Sequence, residues 1–184
     1  MQKTIAFREV EYERDVELIH TWMMQEHVHP FWNLNVPLKQ FRSHLKKALS
    51  DEHQTLYIGY VEDVMISYWE AYWVEGDVVE TTYSSAPFDQ GVHLLIGEKG
   101  YLGKGFSLPM LRAMMLFQFQ VSRTDKVIAE PDIRNDKMIH VFKKCGFKPI
   151  KPITLPDKIG LLMFCERKEY EKRWGNVGFH KEIK

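Results

Sequence analysis

The chain has 184 residues, 45% of them hydrophobic, which is enough for one domain with a real core and unlike a disordered chain. Its 25 basic and 25 acidic side chains cancel, so neither nucleic acid nor an anionic membrane is expected as the main partner. No run approaches the roughly 20 apolar residues of a membrane span. Residues 1–15 lack the apolar stretch of a signal peptide, and Cys145 and Cys165 suggest neither a disulfide framework nor a metal site. A single cytoplasmic domain over residues 1–184 is expected, with its core over about 3–174 and no metal.

Residues 3–10 alternate as a strand does, with Ile5 and Phe7 on one face and Ala6, Arg8 and Val10 on the other. Residues 13–25 carry Val16, Ile19, Trp22 and Met23 at helical spacing behind an acidic first turn. Residues 37–49 repeat the pattern through Leu38, Phe41, Leu45 and Leu49, opened by Pro37. Between these helices lies His27-Val28-His29-Pro30-Phe31-Trp32-Asn33. It reads either as a loop whose aromatics fold back onto the core, or as the wall of an acceptor pocket. In the second reading Trp32 packs a substrate and His29 or Asn33 hydrogen-bonds it. His-x-His without a third placed ligand is a poor metal site.

Residues 55–61 and 64–73 read as two strands joined tightly at Glu62-Asp63. Residues 74–89 are polar and turn-prone, either a plain insertion or a lid. An apolar run, 92–96, then forms a short buried strand bounded by Gly91 and Gly97, and Gly100, Gly103 and Gly105 follow before a helix over about 108–121. Strand, glycine-rich turn and helix together aim bare backbone N–H groups and a helix dipole at a phosphate. Walker A would need Ser or Thr after Lys104, and the dinucleotide fingerprint lacks its third glycine at Leu108.

Residues 126–130 are the next strand, and 130–147 carry a second signal. Asn135 is placed as an N-cap, Met138, Val141, Phe142 and Cys145 make an apolar stripe, and Gly146 stands where a helix-ending glycine belongs. Phe147 opens a further strand, 160–167 another, and 169–174 a short helical end. His93 inside an apolar strand and Asp132 after Pro131 each have a plain structural reading, as a hydrogen-bonded core residue and a turn residue.

The stretch at 102–107 resembles the coenzyme A loop of the GNAT superfamily of N-acetyltransferases, with Leu102 in place of the usual polar residue. Asn135 with the following Gly146-Phe147 resembles the later motif of the same superfamily. Within it the chain looks most like the siderophore-biosynthesis acyltransferases. That likeness rests on His29, Pro30 and Trp32, on Asp89 to Gly97, on Glu130 to Asn135, and on Leu155-Pro156-Asp157-Lys158.

The resemblance implies an α/β fold whose central mixed sheet is splayed and flanked by helices. It implies acetyl-CoA or another acyl-CoA as donor, held along Leu95, Ile96 and Gly97, then Leu102, Gly103, Lys104, Gly105, Phe106 and Ser107, with Asn135 beyond. A small amine or hydroxylamine would be the acceptor, with His93 and Asp132 catalytic. His93 would orient the acceptor or take a proton; Asp132 would accept a proton or hold the amine. Many members place a Tyr where this chain has Phe142, so the leaving thiolate must find its proton elsewhere or leave without one. A lysine amine, with pKa about 10.4, needs deprotonation, whereas a hydroxylamine hardly does. Three functions stay open: acylation of a hydroxylated lysine or diamine, aminoglycoside acetylation using an acidic pocket from Glu75, Asp77 and Glu80, and a non-catalytic acyl-CoA-binding module.

Overall fold

The computed structural model describes residues 3–175, and the tail beyond lies outside the described residues. Its strands are β1 (Ile5–Glu9), β2 (Gln54–Val61), β3 (Val64–Trp73), β4 (Gln90–Ile96), β5 (Lys126–Ala129), β6 (Lys148–Thr154) and β7 (Ile159–Glu166). Its helices are α1 (Tyr12–Met23), the single-turn α2 (His29–Trp32), α3 (Leu38–Leu49), α4 (Ser107–Gln118), α5 (Asp136–Cys145) and α6 (Arg167–Trp174). The strands form one sheet in the order β1-β2-β3-β4-β5-β7-β6. Every neighbouring pair is antiparallel except β4 and β5.

Alternation along the strands builds a core on each face. Leu56, Ile58, Tyr68 and Leu95 pack under α1 and α3. Trp69, Val92, Leu94 and Ile96 pack under α4 and α5. Asn135 caps α5 by accepting the Met138 N–H at 3.2 Å, and Gly146 ends it with φ 126°.

β4 and β5 pair only at Gln90↔Val127 and Gly91↔Ile128, so the sheet opens from Val92 onward. The chain after β5 follows β7 rather than β4. Leu161 N–H donates to Pro131 O and Ile133 N–H to Ile159 O, each at 2.9 Å, and Asp132 bridges Gly160.

The 74–89 loop is anchored. Val74 and Val79 are buried against Ile128 and Leu162, and Glu80–Thr82 forms a 3-10 turn. Asp89, which closes this loop, is buried and accepts from Tyr83 Oη, Ala86 N and Lys126 Nζ.

Candidate active site

A cleft of about 370 Å³ lies where the sheet opens. Gly97 N–H donates to Ile66 O at 2.8 Å and Val74 N–H to Asp89 O at 3.0 Å, so the odd residues of β4 turn their main-chain groups toward β3. The even residues, Val92, Leu94 and Ile96, therefore turn theirs toward the gap. His27 Nε2 is 2.8 Å from Ile96 O and ties the connector after α1 to the end of the strand.

Side chains alternate the opposite way, so the two walls differ. On the α5 side stand Val92, Leu94, Met138 and Phe142; on the other, His93, Glu70, Trp32 and His44.

His93 faces Glu70 directly across the β3–β4 ladder. Its Nδ1 lies 2.8 Å from Glu70 Oε2, and its Nε2 bonds Glu130 Oε1. The carboxylates are themselves held: Tyr68 Oη donates to Glu70 Oε1 at 2.9 Å, and Tyr72 Oη to Glu130 Oε2 at 2.8 Å. Tyr72 reaches across Gly91, where a Cβ would stand 1.9 Å from its ring. Burial opposes charge on His93, but attraction to Glu130 and then Glu70 outweighs it and pushes the imidazole up to about 10. Burial likewise raises Glu130, yet His93, Lys158 and the Tyr72 hydroxyl draw it down to about 2. Glu70 is lowered too, by His93 and Tyr68 against the effect of burial. Its place between two carboxylates favours the imidazolium form, which donates through both nitrogens and has no lone pair with which to take a proton.

Asp132 also lines the cleft, and its carboxylate is held by Arg134. Oδ1 accepts from Arg134 N and Nε at 2.8 and 2.9 Å, and Oδ2 from Arg134 Nη2 at 2.6 Å. These bonds hold it below its ordinary pKa despite burial. Arg134 Nη2 also donates to Pro30 O at 3.3 Å, fastening α2 to this corner.

Of the connector residues, Phe31, Trp32 and Asn33 line the cleft and His29 does not. Trp32 meets His93 edge-on, with centroids 6.3 Å apart. Asn33, at φ 53°, donates through Nδ2 to Asp157 O at 3.4 Å. Asn135 lines the opposite wall.

Leu95, Ile96 and Gly97 are buried at the end of β4, with Gly97 beneath Trp22. Leu102, Gly103, Lys104 and Gly105 form an exposed turn; Phe106 and Ser107 open α4. Gly103 and Gly105 have φ of 70° and 82°, a region that penalises a side chain, and the first N–H groups of α4 have no partner within the helix.

Sequence reasoning did not single out Glu70, and it named Glu130, Asp157 and Lys158 only within motifs. Glu70 left a faint signal, a lone carboxylate in the aromatic run Tyr68-Trp69-Glu70-Ala71-Tyr72-Trp73. None of Glu75, Asp77 and Glu80 lines the cleft. Glu80 accepts Gly76 N–H, and Asp77 bonds Val79 N–H and His53. The acidic pocket expected from that loop is therefore not formed there. Among the described residues no cluster of three His, Cys, Asp or Glu is arranged for a metal ion, and no helix is long and apolar enough to cross a membrane.

The mixed sheet thus parts beside a glycine-rich turn and the N-terminus of a helix. Over residues 11–155 the chain matches the model of the acetyltransferase (GNAT) domain, and it belongs to that family of N-acyltransferases. It is similar to N-hydroxyputrescine acetyltransferase of Acinetobacter baumannii, at 29% identity over 95% of this chain and 84% of that protein. It is also similar to N(6)-hydroxylysine O-acetyltransferase of Escherichia coli, at 27% identity over 92% of this chain. There the chain spans only 54% of the relative's length. A crystal structure of an uncharacterized protein from Bacillus halodurans superposes with a TM-score of 0.92 at 52% identity, covering 95% of this chain and 90% of that one. The aminoglycoside acetyltransferase AAC(6')-Ib in complex with coenzyme A shares the fold, with a TM-score of 0.83 at 23% identity over 92% of this chain and 98% of that one.

Proposed function

We propose that the chain moves an acyl group, acetyl in the simplest case, from coenzyme A to the hydroxylamine nitrogen of a hydroxylated lysine or diamine. The product is a hydroxamate of the kind that siderophores use to hold iron. The observation that carries this reading is the occupation of both His93 nitrogens by Glu70 and Glu130. A cleft whose histidine is already cationic suits a nucleophile that arrives neutral. A hydroxylamine does so at neutral pH, and an alkyl amine does not.

The donor would enter from the α5 side. Its phosphates suit the N-terminal amides of α4 and the turn at Gly103–Gly105, which tolerate close approach. Its pantetheine arm would lie in the gap beside β4 and along Met138 and Phe142. The Val92 or Leu94 N–H, turned into the gap, would stabilise the oxyanion as the carbonyl becomes tetrahedral. Asn135, its oxygen held by the cap bond, has its side-chain N–H groups left for the donor.

The acceptor would enter from the Trp32 side and lie against His93, Glu70 and Glu130. Its nitrogen attacks the carbonyl carbon, and the C–S bond then breaks as the thiolate leaves. The nitrogen becomes acidic once the new bond forms, so even a weakly basic carboxylate there can receive its proton. Phe142 has no proton to give the thiolate, which leaves as an anion or takes one from water. Asp132, bound to Arg134, holds the acceptor wall in place rather than accepting a proton. Acyl-CoA is a cytosolic metabolite, so the reaction belongs in the cytoplasm.

Thiol release from acetyl-CoA tests this reading, with N6-hydroxylysine, N-hydroxycadaverine, lysine and kanamycin as parallel acceptors. Turnover of the hydroxylamines by wild type, lost in His93→Ala, supports it. Faster turnover of kanamycin would replace it with aminoglycoside chemistry.

A further inference from the structure

The acceptor wall carries more charge than the reaction needs, and its pairing indicates which end groups it accepts. Four carboxylates, Glu70, Glu130, Asp132 and Asp157, line the cleft with two strongly basic groups, His93 and Lys158. Each cation is already matched. His93 lies between Glu70 and Glu130, and Lys158 Nζ is 3.8 Å from Glu130 Oε1. Arg134, just outside the lining, is spent on Asp132. His44 acts on Glu70.

Asp157 is the exception. It is exposed at the turn between β6 and β7, and only its main-chain oxygen is used, by Asn33. Among the described residues its carboxylate has no partner. The cleft therefore keeps one uncompensated negative charge, at its rim, next to the segment that carries Trp32.

We infer that Asp157 selects the acceptor by binding an ammonium at the end remote from the hydroxylamine. The preferred acceptor is then a mono-N-hydroxylated α,ω-diamine rather than an N-hydroxylated amino acid. This rests on the reading of the site as a hydroxylamine acyltransferase. A diamine places its cation on the one unpaired carboxylate. An amino acid adds an α-carboxylate to an acidic rim where every basic side chain already faces an acid, so the like charges repel.

Three acceptors of matched length separate the possibilities: N-hydroxycadaverine, N6-hydroxylysine and N-pentylhydroxylamine. With acetyl-CoA saturating, kcat/KM is expected to be highest for N-hydroxycadaverine, about threefold above the other two. In Asp157→Asn the ratio of N-hydroxycadaverine to N-pentylhydroxylamine should fall about threefold, mainly through KM, and Asp157→Glu should restore much of it. Preference for N6-hydroxylysine, or a ratio unmoved in Asp157→Asn, overturns the inference and leaves the hydroxylamine reading intact. Turnover of cadaverine with none of the three hydroxylamines overturns that reading, and this one with it.

Discussion

The two walls of the cleft come from one strand and differ in almost everything. Val92 and Leu94 present an apolar wall backed by Met138 and Phe142, while His93, between them in sequence, carries a polar network of two carboxylates and two tyrosines. Strand alternation places these on opposite faces, and the departure of β5 lets both reach one opening. A single gap in a sheet can thus join a donor side that needs shape and backbone N–H groups to an acceptor side that needs charge. On this comparison, changes on the polar wall should affect the acceptor and those on the apolar wall the donor.

The largest effect is expected from His93→Ala, which leaves Glu70 and Glu130 facing each other without the imidazolium. Turnover should fall about 100-fold as the acceptor and the carboxylate that takes its proton lose their positions, while calorimetry shows coenzyme A binding within a few-fold of wild type. Loss of coenzyme A affinity to match would show that the walls are not separate.

Glu130→Ala should lower stability by about 3 kcal/mol, since it leaves a charged His93 and the Tyr72 hydroxyl without their partner. Its pH dependence has a definite sign. The His93 pKa is raised from about 6.5 when unfolded to about 10. Its contribution is therefore complete below about pH 6.5 and fades as pH rises through 10. The melting-temperature gap between wild type and Glu130→Ala should accordingly narrow between pH 7 and 10. A gap that widens there would contradict an imidazolium at this site.

Gly105→Val tests the donor side alone. Holding a β-branched residue at φ 82° costs about 1–2 kcal/mol, so KM for acetyl-CoA should rise roughly tenfold with little change in KM for the acceptor. The smallest effect belongs to Asn135→Ala. Losing the cap should cost about 1 kcal/mol by thermal melting, with any further change confined to KM for acetyl-CoA.

How far the chain could be read from sequence follows the range of each interaction. Helical stripes, the Asn135 cap and the glycine turn are local, so residue spacing reveals them, and Val64–Trp73 agrees to the residue. The Glu70–His93–Glu130 network is not local: it joins residues 23 and 37 positions from His93, and only strand register brings them together. His93 was legible as a histidine in an apolar strand, but its ionisation was not, because that depends on two partners from other strands. Asp132 was legible as a carboxylate at the opening. Its capture by Arg134, two residues on, was available in principle from a turn geometry that sequence alone does not define.

A site that acylates nitrogen arriving uncharged must tell a hydroxylamine from its parent amine. N-hydroxycadaverine and cadaverine differ by a single oxygen on the nucleophilic nitrogen. At pH 7.5 an amine of pKa about 10.4 is free base only to about 0.1%. With His93 clamped as a cation, kcat/KM should be at least about 100-fold higher for N-hydroxycadaverine. Equal turnover of the two, or preference for cadaverine, would mean that the site deprotonates its acceptor, and His93 could not then be the proton-saturated clamp between Glu70 and Glu130.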